Sequence, residues 1–138
     1  MRLSHKTSSV YFKDLSLYTY LRAHPDPNLL AVGWLDVEEE FTKGPVSEAA
    51  LTRILALCFI PVNQTRGFHQ SPFVEGGLGY PVQYKGKQML LGAAEIRVLG
   101  KNGRTYAAPN LIYHYMKDCG YRPPQEFLDA LESLDSIE

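Results

Sequence analysis

The apolar residues of this chain recur at two spacings, one typical of helices and the other of strands. In three segments they lie three and four positions apart, which places them on one face of a helix. These segments are residues 51–58, 111–119 and 127–134. Ser47 is a favourable N-cap for the first helix, and Gly120 is a typical residue just beyond the end of the second. We therefore predict three helices, the first of which ends near Phe59.

Short apolar runs between turn residues predict the strands. Residues 29–35 read as a buried strand, and residues 82–84 and 88–91 flank a turn at Gly86. Residues 93–99 and 104–107 flank an Asn-Gly turn, which tolerates the positive φ angles of a tight hairpin. Pro109 suits the first turn of the second helix. Neighbouring strands followed by helices predict an α+β fold, in which about three helices pack on one face of an antiparallel sheet.

The length and composition of the chain fit a single domain. It has 138 residues, of which 45% are hydrophobic, and one core is expected at that size. We expect a flexible N-terminus at residues 1–9 and one domain at residues 10–138, whose first part reads as a short strand. No apolar run reaches the roughly 18 residues of a membrane span, and the N-terminus lacks the apolar stretch of a secretory signal. These features predict a cytoplasmic protein without a membrane partner.

The net charge disfavours one class of partner, and the positions of the two cysteines predict their state. A formal net charge of -1 and a pI near 6.4 disfavour nucleic acid as a partner, because nucleic-acid binders usually carry a basic excess. Acidic runs at residues 36–40 and 129–138 offer surfaces for a basic protein partner. The two cysteines, Cys58 and Cys119, fall at apolar helical positions and are expected to be buried free thiols.

The polar segment at residues 61–69 is the strongest candidate binding site. It lies between the first helix and a Gly/Pro-rich run, and surface loops tend to carry function. An arginine near an imidazole suits an anion site, or a base with a charge stabiliser. The same side chains also suit a structural role, in which they bond the backbone of an irregular loop. The candidate binding residues in this segment are Asn63, Thr65, Arg66, Phe68 and His69.

His114 offers a second candidate for acid-base chemistry. Asp118 lies one helical turn after it, and an imidazole beside a carboxylate can act as a general base. A solvated helix face is the alternative interpretation of the same spacing. If His114 meets His69 across the fold, with Arg66 or Arg97 stabilising negative charge, the group would suit phosphodiester chemistry.

Five segments together resemble an uncharacterised family of small bacterial proteins. They are YFKDLS at residues 11–16, VGWLD at 32–36, PVNQTRGFH at 61–69, AEIRV at 94–98 and YAAPNLIYHY at 106–115. The resemblance covers about residues 11–131 and implies a bacterial origin without an assigned activity.

Some members of the resembling family carry Cys-x-x-Cys just after the Phe-His pair and a histidine near the end of the next helix, which implies zinc in those proteins. This chain has Ser71 and Val74 at the first two positions and Cys119 near the third. The remaining metal candidates, His69, His114 and Cys119, form an incomplete set without a close-spaced pair. We therefore expect neither a metal nor a cofactor.

Three functions from different classes remain open. The leading hypothesis is a non-enzymatic protein-binding protein of the bacterial cytosol, of the immunity type that blocks a toxin domain. It rests on small size, acidic patches, many tyrosines and the lack of a complete catalytic set. The runner-up is a small hydrolase or phosphodiesterase that uses His69 and His114 with Arg66. The third is RNA or single-strand binding by tyrosines with Arg97, Lys101 and Arg104, which the net charge disfavours.

Overall fold

The computed structural model describes residues 11–19, 26–60, 80–101 and 103–134. These residues form, in chain order, β1 (Leu29–Ala31), α1 (Glu48–Cys58), β2 (Tyr80–Tyr84), β3 (Lys87–Leu91), β4 (Glu95–Leu99), β5 (Thr105–Pro109), α2 (Ile112–Asp118) and α3 (Gln125–Glu132). The predicted α+β class is confirmed. No helix in this part of the chain has the length and hydrophobicity that crossing a membrane requires.

The described strands form two small sheets. β2 and β3 pair antiparallel as a hairpin, and β4 and β5 pair antiparallel as a second hairpin. β1 joins β5 in parallel, with Leu30 opposite Tyr106, which gives the larger sheet the order β1-β5-β4 and makes it mixed. The sequence predicted antiparallel pairing, which both hairpins show. It did not predict the parallel pair, because no local turn connects β1 to its neighbour and fixes its direction.

The main core lies between the larger sheet and the helices. Ile96 of β4 and Tyr106 of β5 pack in one cluster with Ile54 of α1, Ile112 of α2 and Phe127 of α3. Because side chains alternate across a strand, these sheet residues point to one face. The three helices contribute to this one cluster, as the sequence predicted for helices packed on one face.

A second core covers the opposite face of the same sheet. Ala31 and Ala107 pack there with Leu29, Tyr18 and Trp34, and the indole N–H of Trp34 donates to the Ala107 carbonyl at 3.0 Å. Backbone hydrogen bonds join the segment 11–19 to residues 29–34, so this segment lies over the sheet without forming a regular strand. The short strand expected there is reduced to an isolated bridge between Leu17 and Leu30.

Two local predictions differ from the structure. The buried strand expected over residues 29–35 ends at Ala31, because Gly33 has a φ of 82° and turns the chain out of the extended conformation. Pro109 ends β5 opposite Glu95 and does not begin α2, which starts at Ile112. The fixed φ of proline suits the end of a strand as well as the first turn of a helix, so the residue type does not distinguish them.

Candidate functional site

His114 is buried on α2, with 2% of its surface exposed. The rings of Tyr80 and Tyr115 flank its imidazole, with centroid distances of 4.5 and 5.5 Å. The alternative of a solvated helix face is therefore wrong for His114. Tyr80, the first residue of β2, covers this side of the helix, and helical spacing alone does not reveal that contact.

The end of α2 aligns a carboxylate, an imidazole and a thiol. The Nδ1 atom of His114 lies 3.0 Å from Oδ2 of Asp118, and its Nε2 atom lies 3.8 Å from Sγ of Cys119. The hydroxyl of Tyr80 donates to the same Oδ2 atom at 2.6 Å. Because an ionised carboxylate only accepts, Nδ1 of His114 is the donor to Asp118, and in the neutral form of the ring this places the lone pair on Nε2, which faces the thiol. The predicted imidazole–carboxylate pair is present, and Cys119 extends it.

The surroundings set the protonation states of this group. Although burial opposes it, the hydrogen bonds from Tyr80 and His114 lower the pKa of Asp118 below its usual value. Burial, and then the hydrogen bond to Asp118, raise the pKa of Tyr80. Burial, and then the Asp118 charge, raise the pKa of Cys119. At neutral pH the carboxylate is therefore ionised, while the hydroxyl and the thiol keep their protons.

Asp118 and Cys119 line a surface cavity of about 810 Å³. Its other lining residues are Val37, Glu38, Glu39, Glu40, Phe41 and Lys43. Backbone hydrogen bonds between residues 42–44 and 120–122 bring this acidic run to the end of α2. The sequence offered the acidic run as a candidate partner surface, with a solvated face as the alternative. It did not place the run beside Cys119, because pairing between distant loops leaves no local pattern.

The two cysteines differ in exposure. Cys58 of α1 is fully buried, its Sγ atom lies 3.6 Å from the Asn110 carbonyl oxygen, and burial raises its pKa to about 12. Cys119 is only partly buried, because it follows the last residue of α2 at the protein surface. Both are free thiols, as predicted, but the prediction of burial holds for Cys58 alone.

Arg97 is the other predicted binding residue within the described ranges. Its Nη1 atom lies 2.8 Å from Oε1 of Glu95, and its guanidinium lies 5.2 Å from the centre of the Tyr18 ring. Glu95 is 3% exposed and also accepts a hydrogen bond from the Tyr18 hydroxyl. Since Arg97 is in register with Ala107, it faces the second core, on the side of the sheet away from α2.

Two of the three cations assigned to nucleic-acid binding are neutralised by carboxylates. Arg97 pairs with Glu95, and Nη1 of Arg104 lies 2.9 Å from Oε2 of Glu126. These pairs reduce the positive charge that the hairpin offers to phosphates. They weigh against the nucleic-acid hypothesis, which stays a prediction.

The predicted loop site falls outside the described residues. This applies to Asn63, Thr65, Arg66, Phe68 and His69, and also to Ser71 and Val74. The hydrolase hypothesis requires His69 and Arg66 beside His114 and stays a prediction. Within the ranges that the structure describes, no group of three His, Cys, Asp or Glu side chains could hold a metal ion.

A family model for a domain of unknown function, DUF7919, matches residues 10–132. The chain belongs to this family. The match confirms the predicted resemblance to an uncharacterised domain family, over residues 10–132. Searches of curated proteins and of solved structures found no significant match. Membership in the family carries no activity with it.

Proposed function

We propose that this protein binds a partner protein by taking a basic segment of it into the acidic cavity. The observation that carries the proposal is the group of carboxylates formed by Glu38, Glu39 and Glu40 together with Asp118. Among the lining residues that the structure describes, Lys43 is the one basic side chain beside four carboxylates, so these residues give the cavity wall a negative formal charge. An acidic concave surface steers a basic partner and raises its association rate.

Apolar surface beside the carboxylates favours a protein partner over a small cation. Val37 is 56% exposed at the cavity. The Phe41 ring packs edge-to-face on the buried Tyr121 with a centroid distance of 5.9 Å, which joins this part of the wall to the core. Protein interfaces commonly combine an apolar or aromatic centre with a charged rim. We therefore expect the partner segment to carry basic residues on either side of an apolar one.

A toxin domain blocked in the bacterial cytosol is the partner class that we propose, with this chain as the immunity-type protein. A toxin that cleaves nucleic acid needs a basic surface, because its substrate is a polyanion. An acidic cavity that occupies this surface would exclude the substrate by charge complementarity. The proposal needs no catalytic residue in this chain.

A pair of charge-reversal variants tests the binding proposal. In E39K/E40K both changes lie in the cavity wall, whereas E48K/E132K makes the same net charge change at exposed positions of α1 and α3. From native lysate, tagged wild type and the α1/α3 variant should retain a stoichiometric protein partner that binds E39K/E40K at least about tenfold more weakly. Binding should also weaken as salt is raised. The absence of a stoichiometric partner, or equal binding by both variants, would contradict the proposal.

A further inference from the structure

We propose that Cys119 is a nucleophilic thiol, activated by His114, that takes an acyl group from an ester or thioester bearing a cationic group. The reactive thiol lies in the same cavity as the proposed partner site. This reaction goes beyond the proposed partner binding and does not require it. The reacting groups lie at the end of α2, whereas the binding proposal rests on the carboxylates of the cavity.

The three groups stand in the order that nucleophilic catalysis requires. Sγ of Cys119 lies 3.8 Å from Nε2 of His114, and Nδ1 of the same ring lies 3.0 Å from Oδ2 of Asp118. A nucleophile beside a base that a third group orients is the general arrangement of covalent catalysis. Transfer of the thiol proton requires the ring lone pair on Nε2, and the neutral tautomer in which Nδ1 donates to Asp118 has it there.

Tyr80 holds the base in place. Its ring stacks on His114 at 4.5 Å, and its hydroxyl donates to the Asp118 oxygen that also binds Nδ1. The carboxylate and the imidazole are thus fixed by the same side chain. Since His114 is buried and Cys119 is partly exposed, the base is shielded from water while the thiol meets the cavity.

The acyl transfer balances with water as the second reactant. As Sγ attacks the carbonyl carbon, the thiol proton passes to Nε2 of His114. The bond to the leaving oxygen or sulfur breaks, and the leaving group takes that proton, which leaves an acyl thioester on Cys119. Water from the cavity then attacks the thioester carbon, a proton of that water passes to the departing Sγ atom, and the carboxylic acid is released as the thiol is restored. Because the resting thiol is protonated, removal of its proton must accompany the attack, which makes the base essential.

The charges around the thiol define the substrate class. Glu38, Glu39 and Glu40 line the cavity with Cys119 and favour a substrate with a cationic group. Esters and thioesters suit this arrangement better than amides, because their leaving groups depart more readily.

The nitrophenyl ester of acetyl-lysine is a suitable probe, with nitrophenyl acetate as its neutral counterpart. Wild type should release nitrophenol in a burst, and intact mass with peptide mapping should find the acyl group on Cys119. C58S is the matched control and should react as wild type does, because Cys58 is fully buried and burial raises the pKa of its thiol. C119A should lose the burst, and H114Q should be slower by on the order of 100-fold or more.

His114 is buried, so thermal unfolding must first show that H114Q is folded. If it is not, D118N replaces it, because the Asp118 side chain is 40% exposed, and it should react more slowly than wild type since the carboxylate no longer orients the imidazole. An unchanged burst in C119A, or acylation of Cys119 no faster than that of glutathione at equal thiol concentration, would overturn the proposal. Equal rates with the neutral ester would overturn the cationic substrate class. The two proposals fail separately: a burst in wild type without a captured partner would overturn only the binding proposal, and a captured partner without a burst would overturn only this one.

Discussion

The hydroxyl of Tyr121 donates to Oδ2 of Asp14 at 2.8 Å, a contact between residues 107 positions apart. Oδ1 of the same carboxylate accepts the N–H of Gly33 at 3.0 Å. Tyr121 is fully buried and packs on Phe41 beside the acidic cavity. One carboxylate therefore ties the N-terminal segment to the turn after β1 and to the loop before α3.

Removing the Tyr121 hydroxyl should destabilise the fold. In Y121F the Asp14 carboxylate loses a donor in a largely buried site, and hydrogen bonds to charged groups contribute roughly 1.5–3 kcal/mol. We expect a decrease of this size in the free energy of unfolding, measured with urea. Y84F is the control, because the ring contact of Tyr84 with Phe59 is kept, and a change within about 0.5 kcal/mol is expected there. Similar losses in both variants would argue against the Asp14 contact as the cause.

Asp14 should give stability a distinct pH dependence. Burial raises the pKa of the Asp14 carboxyl above its usual value of 3.8, although hydrogen bonds from Gly33 and Tyr121 oppose the shift. A carboxyl with a raised folded-state pKa contributes its full stability below the unfolded pKa and loses it as the pH rises through the folded pKa. The stability of wild type relative to D14N should therefore fall as the pH rises from below 3.8, then level off. Urea unfolding across a pH series measures this difference, and a constant difference would refute the expectation.

Gly33 should not tolerate a side chain. Its φ is 82°, and a Cβ atom there would lie 2.8 Å from Cδ1 of Ile112. Gly86 has a φ of 80° with nothing within 4 Å of its Cβ position, so G86A isolates the conformational cost of about 1–2 kcal/mol. We expect G33A to reduce the free energy of unfolding by about 1–3 kcal/mol more than G86A does, a difference typical of overpacking. In thermal or urea unfolding, the decrease in stability of the double variant G33A/I112V should be smaller than the sum of the decreases in G33A and I112V. Strict additivity would mean that the Ile112 contact is not the cause.

Arg97 should behave as a structural residue. Its partner Glu95 is 3% exposed, and removing the guanidinium leaves a buried carboxylate with one donor fewer. We expect R97Q to reduce the free energy of unfolding by on the order of 2 kcal/mol or more. R104Q is the matched control, since its pair with Glu126 is well exposed and contributes less than about 1 kcal/mol. If R97Q proves as stable as wild type, Arg97 returns to the list of binding candidates.

Local signals in the sequence predicted the elements whose cause is local. Ser47 caps α1 as expected, with its hydroxyl oxygen accepting the Ala50 N–H at 3.0 Å, and both predicted hairpins are present. The parallel pairing of β1 with β5 could not be predicted, because many residues separate the two strands and tertiary packing decides which strand β1 pairs with. The candidate site likewise combines a contact that local sequence predicts with contacts that it does not. The His114–Asp118 pair follows from helical spacing, whereas the contacts of Tyr80 and of residues 38–40 with that helix depend on tertiary packing.

The parallel pair between β1 and β5 also fixes when the second core can form during synthesis. Leu29–Ala31 leaves the ribosome well before Thr105–Pro109, and Trp34 needs the Ala107 carbonyl as its acceptor. Until β5 has left the ribosome, the larger sheet on which Tyr18 and Trp34 pack is incomplete. A chain that stalls or is cut before β5 would therefore expose these aromatic side chains. We expect chaperones to bind such a chain, and we expect it to aggregate without them.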